Sequence, residues 1–281
     1  MSRIKWGQRI RIRIRVVGLL SLLAVLTTLN LTAAIKQPIK RPTYDPAAET
    51  VELFDGLEQG LFEATVIPIS ALEGNVFIEN KSDKPLSVKL PPAVAAVQVL
   101  KQGFGNGNGV GNGTGNTGLN AGGNNQNGQA QPVGGGIGNT GANGGRNGGI
   151  FSIPPQKIVQ VPLKSVCLAH GKPDPRPQMT YKLVKLETYT KDPVLQELLM
   201  SFGNGNMDQH AAQAAAWNVC DKMSWQELAK KQITFLGGLP PKPYFTPAQL
   251  MAAQQIVTTA QQKAREREDA PKEESARTPK L

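Results

Sequence analysis

The sequence predicts an α+β protein: a small antiparallel β-sandwich-like domain, interrupted by a disordered Gly/Asn-rich insertion and followed by a helical C-terminal segment. Three observations predict it. Period-two alternation with Pro-rich turns runs on both sides of residues 103–149, the apolar period lengthens to about 3.6 beyond Asp192, and residues 103–149 hold 20 Gly and 11 Asn. The chain then divides into a leader (1–34), a linker (35–59), two halves of the β domain (60–102 and 150–190), the insertion between them (103–149), a helical region (191–268) and a disordered charged tail (269–281).

The leader begins with Arg3, Lys5, Arg9, Arg11, Arg13 and Arg15, which supply more than half of the net charge of +10. An uncharged stretch, 16–35, follows, with small residues at Thr32 and Ala34. Basic, apolar and small segments in that order describe a secretory signal cleaved after Ala34. The alternative is a retained anchor that holds the protein to the inner membrane through 16–35, although Ser21, Thr27, Thr28 and Asn30 dilute it. Either way the mature chain is exported, to the periplasm or the cell surface, and touches a membrane only through this segment if it is uncleaved. The remaining Lys and Arg are scattered without aromatic interleaving, which argues against nucleic acid as a partner.

After a Pro-rich linker, "LFEATVIPIS" reads as a strand. "GNVFIEN", "KSDKP" and "LSVKLP" read as strand, turn and strand, a β-hairpin, and 94–100 as a further short extended piece. Beyond the insertion, "FSIPPQKIVQVPLKSVCLA" and "MTYKLVKLETY" resume the strand signal. In the helical region Asp192 before Pro193 suits an N-cap and first helical position. Ala-rich 207–220 continues the helical pattern, and Ser224 with Glu227 forms a capping box. Leu250, Ala253, Val257, Ala260 and Ala264 recur at helical spacing and form a docking face, while Trp217 and Trp225 anchor two helices to a core.

Gly113–Gly118, "GTGNTG", matches the dinucleotide-binding pattern, and so does Gly136–Gly141. Glycine is so dense in this interval that chance alone yields about three matches. No strand, helix or acid is expected at the required places, so the interval reads as spacer and no cofactor is expected. Cys167, His170, His210 and Cys220 include zinc-ligating types, but His210 and Cys220 lie about 15 Å apart on one predicted helix. No metal site is expected. In an oxidising compartment Cys167 and Cys220 are available for one disulfide, or stay unpaired. The Gly-x-Ser-x-Gly pattern is absent and no carboxylate pair is singled out, so no catalytic residues are nominated and an enzyme is not the favoured reading.

At residues 80–105, 166–183, 211–218, 223–231 and 243–250, the sequence resembles a group of uncharacterised exported proteins of planctomycete bacteria. That resemblance implies export and a β part followed by a helical part, and no activity; the group usually carries an acid where this chain has Ala169. A second resemblance is to bacterial surface thioester domains, through Cys167 and the Gln213-x-Ala215-hydrophobic-Trp217 element. It implies Cys167 as the sulfur and Gln213 as the acyl partner of an internal thioester that reacts with surface amines. Two departures weigh against it: Ala212 stands where those domains have Thr, and the separation of 46 residues is short. The favoured reading is an exported, non-enzymatic envelope or surface protein with a protein-interaction or structural role, toward an envelope partner the sequence does not identify.

Overall fold

The computed structural model describes residues 37–99, 129–138, 149–205, 207–235 and 239–277, with side chains described as far as Asp269. The leader (1–34), with its signal and anchor readings, and the Gly113–Gly118 match lie outside these residues.

Helices and antiparallel strands are both present, as the α+β reading expects. The first elements, however, fall inside the segment expected to be a linker (35–59): β1 (Glu49–Glu52) and α1 (Leu53–Glu58). Leu53 is fully buried, and Val51, Phe54 and Leu57 pack against the same core, so this segment contributes apolar surface that its prolines obscured in the sequence. Upstream, Ile39 forms a parallel bridge with Val159.

β2 (Phe62–Pro68) and β3 (Glu73–Asn80) form an antiparallel hairpin in register from Phe62 opposite Asn80 to Pro68 opposite Gly74. β4 (Leu86–Lys89) does not pair with β3, which corrects the hairpin expected across 81–85. The reason is Asn80. Its buried Nδ2 donates to the Lys84 carbonyl at 2.8 Å and to the Ile153 carbonyl at 2.9 Å, and its Oδ1 accepts from the Ser82 N–H at 2.9 Å. These bonds fix the 81–85 turn and turn the chain away, so that β4 lies between β1 (parallel) and β7 (Ile150–Ile153, antiparallel) in a separate three-stranded sheet.

The main sheet is completed by β5 (Val94–Gln98), β6 (Val133–Ile137), β8 (Ile158–Cys167) and β9 (Tyr181–Val184). It closes on itself in the order β2-β3-β8-β6-β5-β9, every pair antiparallel. The architecture is therefore a closed six-stranded barrel. Closure removes the free edges that two stacked sheets would leave. Val66, Val76, Ile78, Val159, Val161 and Leu163 belong to its core, at alternate positions along three strands.

β6 lies within the interval expected to be disordered (103–149), and this is the main correction to the sequence reading. Its sequence, VGGGI, is buried at all five positions between β8 and β5. Glycine is required there by close approach. A Cβ on Gly134 would lie 2.8 Å from Leu199 and 2.9 Å from Leu168, one on Gly135 2.0 Å from the Lys164 carbonyl oxygen, and one on Gly136 2.7 Å from the Cα of Gly203. The insertion thus supplies a stave of the barrel.

The helical layer begins with α2 (Leu186–Tyr189), then α3 (Pro193–Gly203), α4 (Gln209–Cys220) and α5 (Trp225–Lys230). A short ribbon of β10 (Gln232–Ile233) and β11 (Lys242–Pro243) precedes α6 (Pro247–Arg277). Asp192 Oδ1 caps α3 by accepting the N–H of Val194 at 2.9 Å, and the Ser224–Glu227 capping box forms at α5. α6 buries Ala253, Val257, Ala260 and Ala264, and Arg267 pairs with the buried Glu197 of α3. The helix continues through part of the expected disordered tail, 269–281, as far as Arg277. Among the described residues no helix is long and apolar enough to cross a membrane.

Candidate functional site

Where β8 leaves the barrel it meets the start of β6 on one side and α4 on the other. Cys167, the last residue of β8, is 1% exposed at this junction. In the β6–β8 register Val133 stands opposite Cys167, and Gln131 precedes Val133 by two residues. Residues two apart in an extended chain share a face, so Gln131 falls diagonally beside the cysteine. Its carbonyl oxygen Oε1 is in direct contact with Cys167 Sγ, and its Nε2 donates to Asp174 of the loop between β8 and β9.

The Gln131 backbone is fixed at both ends. Its N–H donates to the Pro173 carbonyl at 3.0 Å, and its carbonyl accepts from the Tyr181 hydroxyl at 2.9 Å. Leu168 N–H donates to the Pro132 carbonyl at 2.9 Å, continuing the ladder past Cys167.

α4 brings the other two groups. Asp208 caps this helix, its Oδ1 accepting the Ala211 N–H at 2.8 Å, and Ala211, Ala212, Ala214, Ala215 and Ala216 are buried. Small side chains let the helix lie close against β8. Gln213, 1% exposed, faces the Cys167 peptide. The Cys167 N–H donates to Gln213 Oε1 at 2.7 Å, and Gln213 Nε2 donates to the Cys167 carbonyl at 2.9 Å. One turn on, Trp217 Nε1 donates to Cys167 Sγ at 3.3 Å. The sulfur is thus held between the indole N–H of Trp217 and the carboxamide of Gln131.

Burial, opposed by the Trp217 N–H bond, pushes the Cys167 thiol up to about 11, and burial together with Asp221 pushes that of Cys220 up to about 12. Both stay protonated at neutral pH, so their reactivity toward external reagents is low. Outside Trp217 lie the His170 ring at 4.8 Å and the Tyr244 ring at 5.5 Å, with Lys231 Nζ 5.1 Å from the indole. His170 Nε2 is 2.8 Å from Lys231 Nζ; burial, and then this cation, lower the histidine below its ordinary range.

The structure brings Cys167 and Gln213 together, as the thioester resemblance expects. The Gln213 carboxamide, however, bonds to the backbone of Cys167 rather than to its sulfur, and it is Gln131 that meets the sulfur. Of the two states left open for Cys167 and Cys220, a disulfide or unpaired thiols, the structure has both cysteines free. Cys167 Sγ is instead engaged by Gln131 and Trp217. His210 lies against Tyr244 at 6.2 Å, with Nδ1 buried and unpaired, while His170 meets Trp217 in a T-shaped contact. Among the described residues no three His, Cys, Asp or Glu converge as a metal site.

Gln131 and Asp174 are the residues sequence reasoning missed. A signal for the first was present: "QPVGGGI" places Val133 and Ile137 four apart, after a proline, in a tract whose only other apolar β-branched residue is Val110. No family model matches the chain, and no curated protein or solved structure matches it.

Proposed function

We propose that this is an exported envelope or surface protein whose barrel and helices hold an internal thioester at Cys167, used once to attach the molecule covalently to an amine on a neighbouring surface. The observation that carries this reading is the buried Cys167 with one carboxamide on its sulfur and a second on its peptide. Buried polar groups need partners, but a single carboxamide suffices to satisfy one peptide unit. A second, whose oxygen takes the hydrogen bond of the Cys167 thiol, sets the sulfur beside a carboxamide whose acyl carbon is one bond from the contacted atom. The resemblance to surface thioester domains supports a thioester at Cys167, although it names Gln213 as the acyl partner, and the basic and apolar leader supports export. Chemistry of this kind proceeds once per molecule, in keeping with a non-enzymatic interaction role.

Intact mass of the purified mature chain tests it. The thioester lowers the mass by about 17 Da, the ammonia released, and Cys167→Ala restores it. A wild-type chain at its unmodified mass defeats the reading, and so does a loss of about 2 Da, which denotes a disulfide.

A further inference from the structure

We infer that Gln131, not Gln213, supplies the acyl group of the thioester, and that its natural acceptor is a primary ammonium group drawn in by Asp174, such as a lysine on a protein surface. This rests on the thioester reading above and assigns roles within that site. Four observations carry it. The Cys167 thiol donates to the carboxamide oxygen of Gln131, one bond from its acyl carbon. The register that pairs Val133 with Cys167 puts Gln131 on the cysteine's own face, one step away. Its peptide is pinned by Pro173 and Tyr181, so the carboxamide is presented without an ordering cost at reaction. Gln213, in contrast, already uses both amide atoms on the peptide of Cys167. Losing its Nε2 as ammonia would strip the buried Cys167 carbonyl of that donor, a costly vacancy.

The nitrogen that must leave Gln131 is the one bonded to Asp174, and Asp174 belongs to an exposed loop, so the leaving group departs toward solvent. In the first step the Cys167 sulfur forms a bond to the Gln131 acyl carbon, the carbon–nitrogen bond breaks, and the thiol proton leaves on ammonia. In the second, an amine nitrogen bonds to the same carbon, the carbon–sulfur bond breaks, and a proton from the amine returns to the sulfur. Neither step changes oxidation state. After the first, the Asp174 carboxylate has lost its amide partner and faces the vacated side of the acyl group, where it attracts an ammonium and accepts its proton. Trp217 Nε1–H meets the sulfur as it becomes the leaving group. Gln213 is a positioning residue that holds the cysteine peptide.

The mature chain is incubated with methylamine, digested and sequenced by mass spectrometry. We expect N-methylglutamine at residue 131, an intact-mass gain of about 31 Da over the thioester form, and no ammonia loss in Gln131→Glu. Gln213→Ala is expected to lower the fraction of chains carrying the thioester while any adduct still maps to residue 131. An adduct at Gln213, or ammonia loss persisting in Gln131→Glu, overturns the assignment and leaves the thioester reading standing. A wild-type chain that never loses ammonia overturns both. Methylamine capture unslowed in Asp174→Asn overturns the role given to that carboxylate.

Discussion

Gly203 ends α3 where its backbone meets two others. An added Cβ would lie 1.9 Å from the Pro92 carbonyl oxygen, and Gly136 of β6 approaches the same residue. Gly171 is a glycine for a different reason: nothing lies within 4 Å of its missing side chain, but its φ is +84°. Steric exclusion by backbone and conformational strain should separate in experiment. Gly203→Ala is expected to lower the unfolding free energy by about 3 kcal/mol, since one backbone belongs to β6 and the other leads into β5. Gly171→Ala should lower it by only about 1 kcal/mol. Urea denaturation of the two variants checks this; equal losses would mean that α3 and β6 are not in such close contact. The distinction was not legible in the sequence, where a glycine needed for approach and a glycine of a spacer are the same letter. Local chemistry was legible: Asp192 with Pro193, and Ser224 with Glu227, were read correctly because each pair acts within one turn.

Among the elements, α4 carries the largest share of the site, since Gln213 and Trp217 both lie on it. Its N-terminus is capped by Asp208, and the side chain of Gln209 ties the same turn to the Leu72 and Ser165 carbonyls. Asp208→Ala should cost about 1 kcal/mol in global stability, as caps of this kind do. Fraying of the first turn reaches Gln213 as well, so hydrogen exchange at the Cys167 amide should accelerate along with the loss. An unchanged Cys167 amide in that variant would separate the cap from the site. The helices beyond Asp192 and most strands followed from periodicity, and the docking face of α6 lies where its apolar spacing put it. Several elements did not follow, among them β1, α1, α2, β6 and the partner of β4. β6 was hidden by glycine, β1 and α1 by the prolines upstream of them, α2 by ending a run that reads as strand, and the partner of β4 by Asn80, whose bonds reach a residue far off in sequence. In each case a tertiary contact decides what the local pattern leaves open.

At the scale of the molecule, the barrel and the helical layer have separate cores that meet along the end of β8. Val166, Cys167 and Leu168 pack with the helices, whereas Val159, Val161 and Leu163 fill the barrel. Half of the candidate site was therefore within reach of a motif: Cys167 and Gln213 could be paired by resemblance. The other half depends on a closed sheet that alternation alone does not reveal. The contact between Cys167 and Gln131 spans 36 residues of chain. A covalent bond at that contact is a cross-link as well as an electrophile. By the loop-closure relation used for disulfides, it removes denatured-state entropy worth about 4 kcal/mol. Reaction with an amine cuts the link, so the spent protein is held only by its packing. Scanning calorimetry before and after methylamine treatment should then show the melting temperature fall by about 10 °C. Attachment to a surface would leave the protein more easily unfolded than it was on arrival.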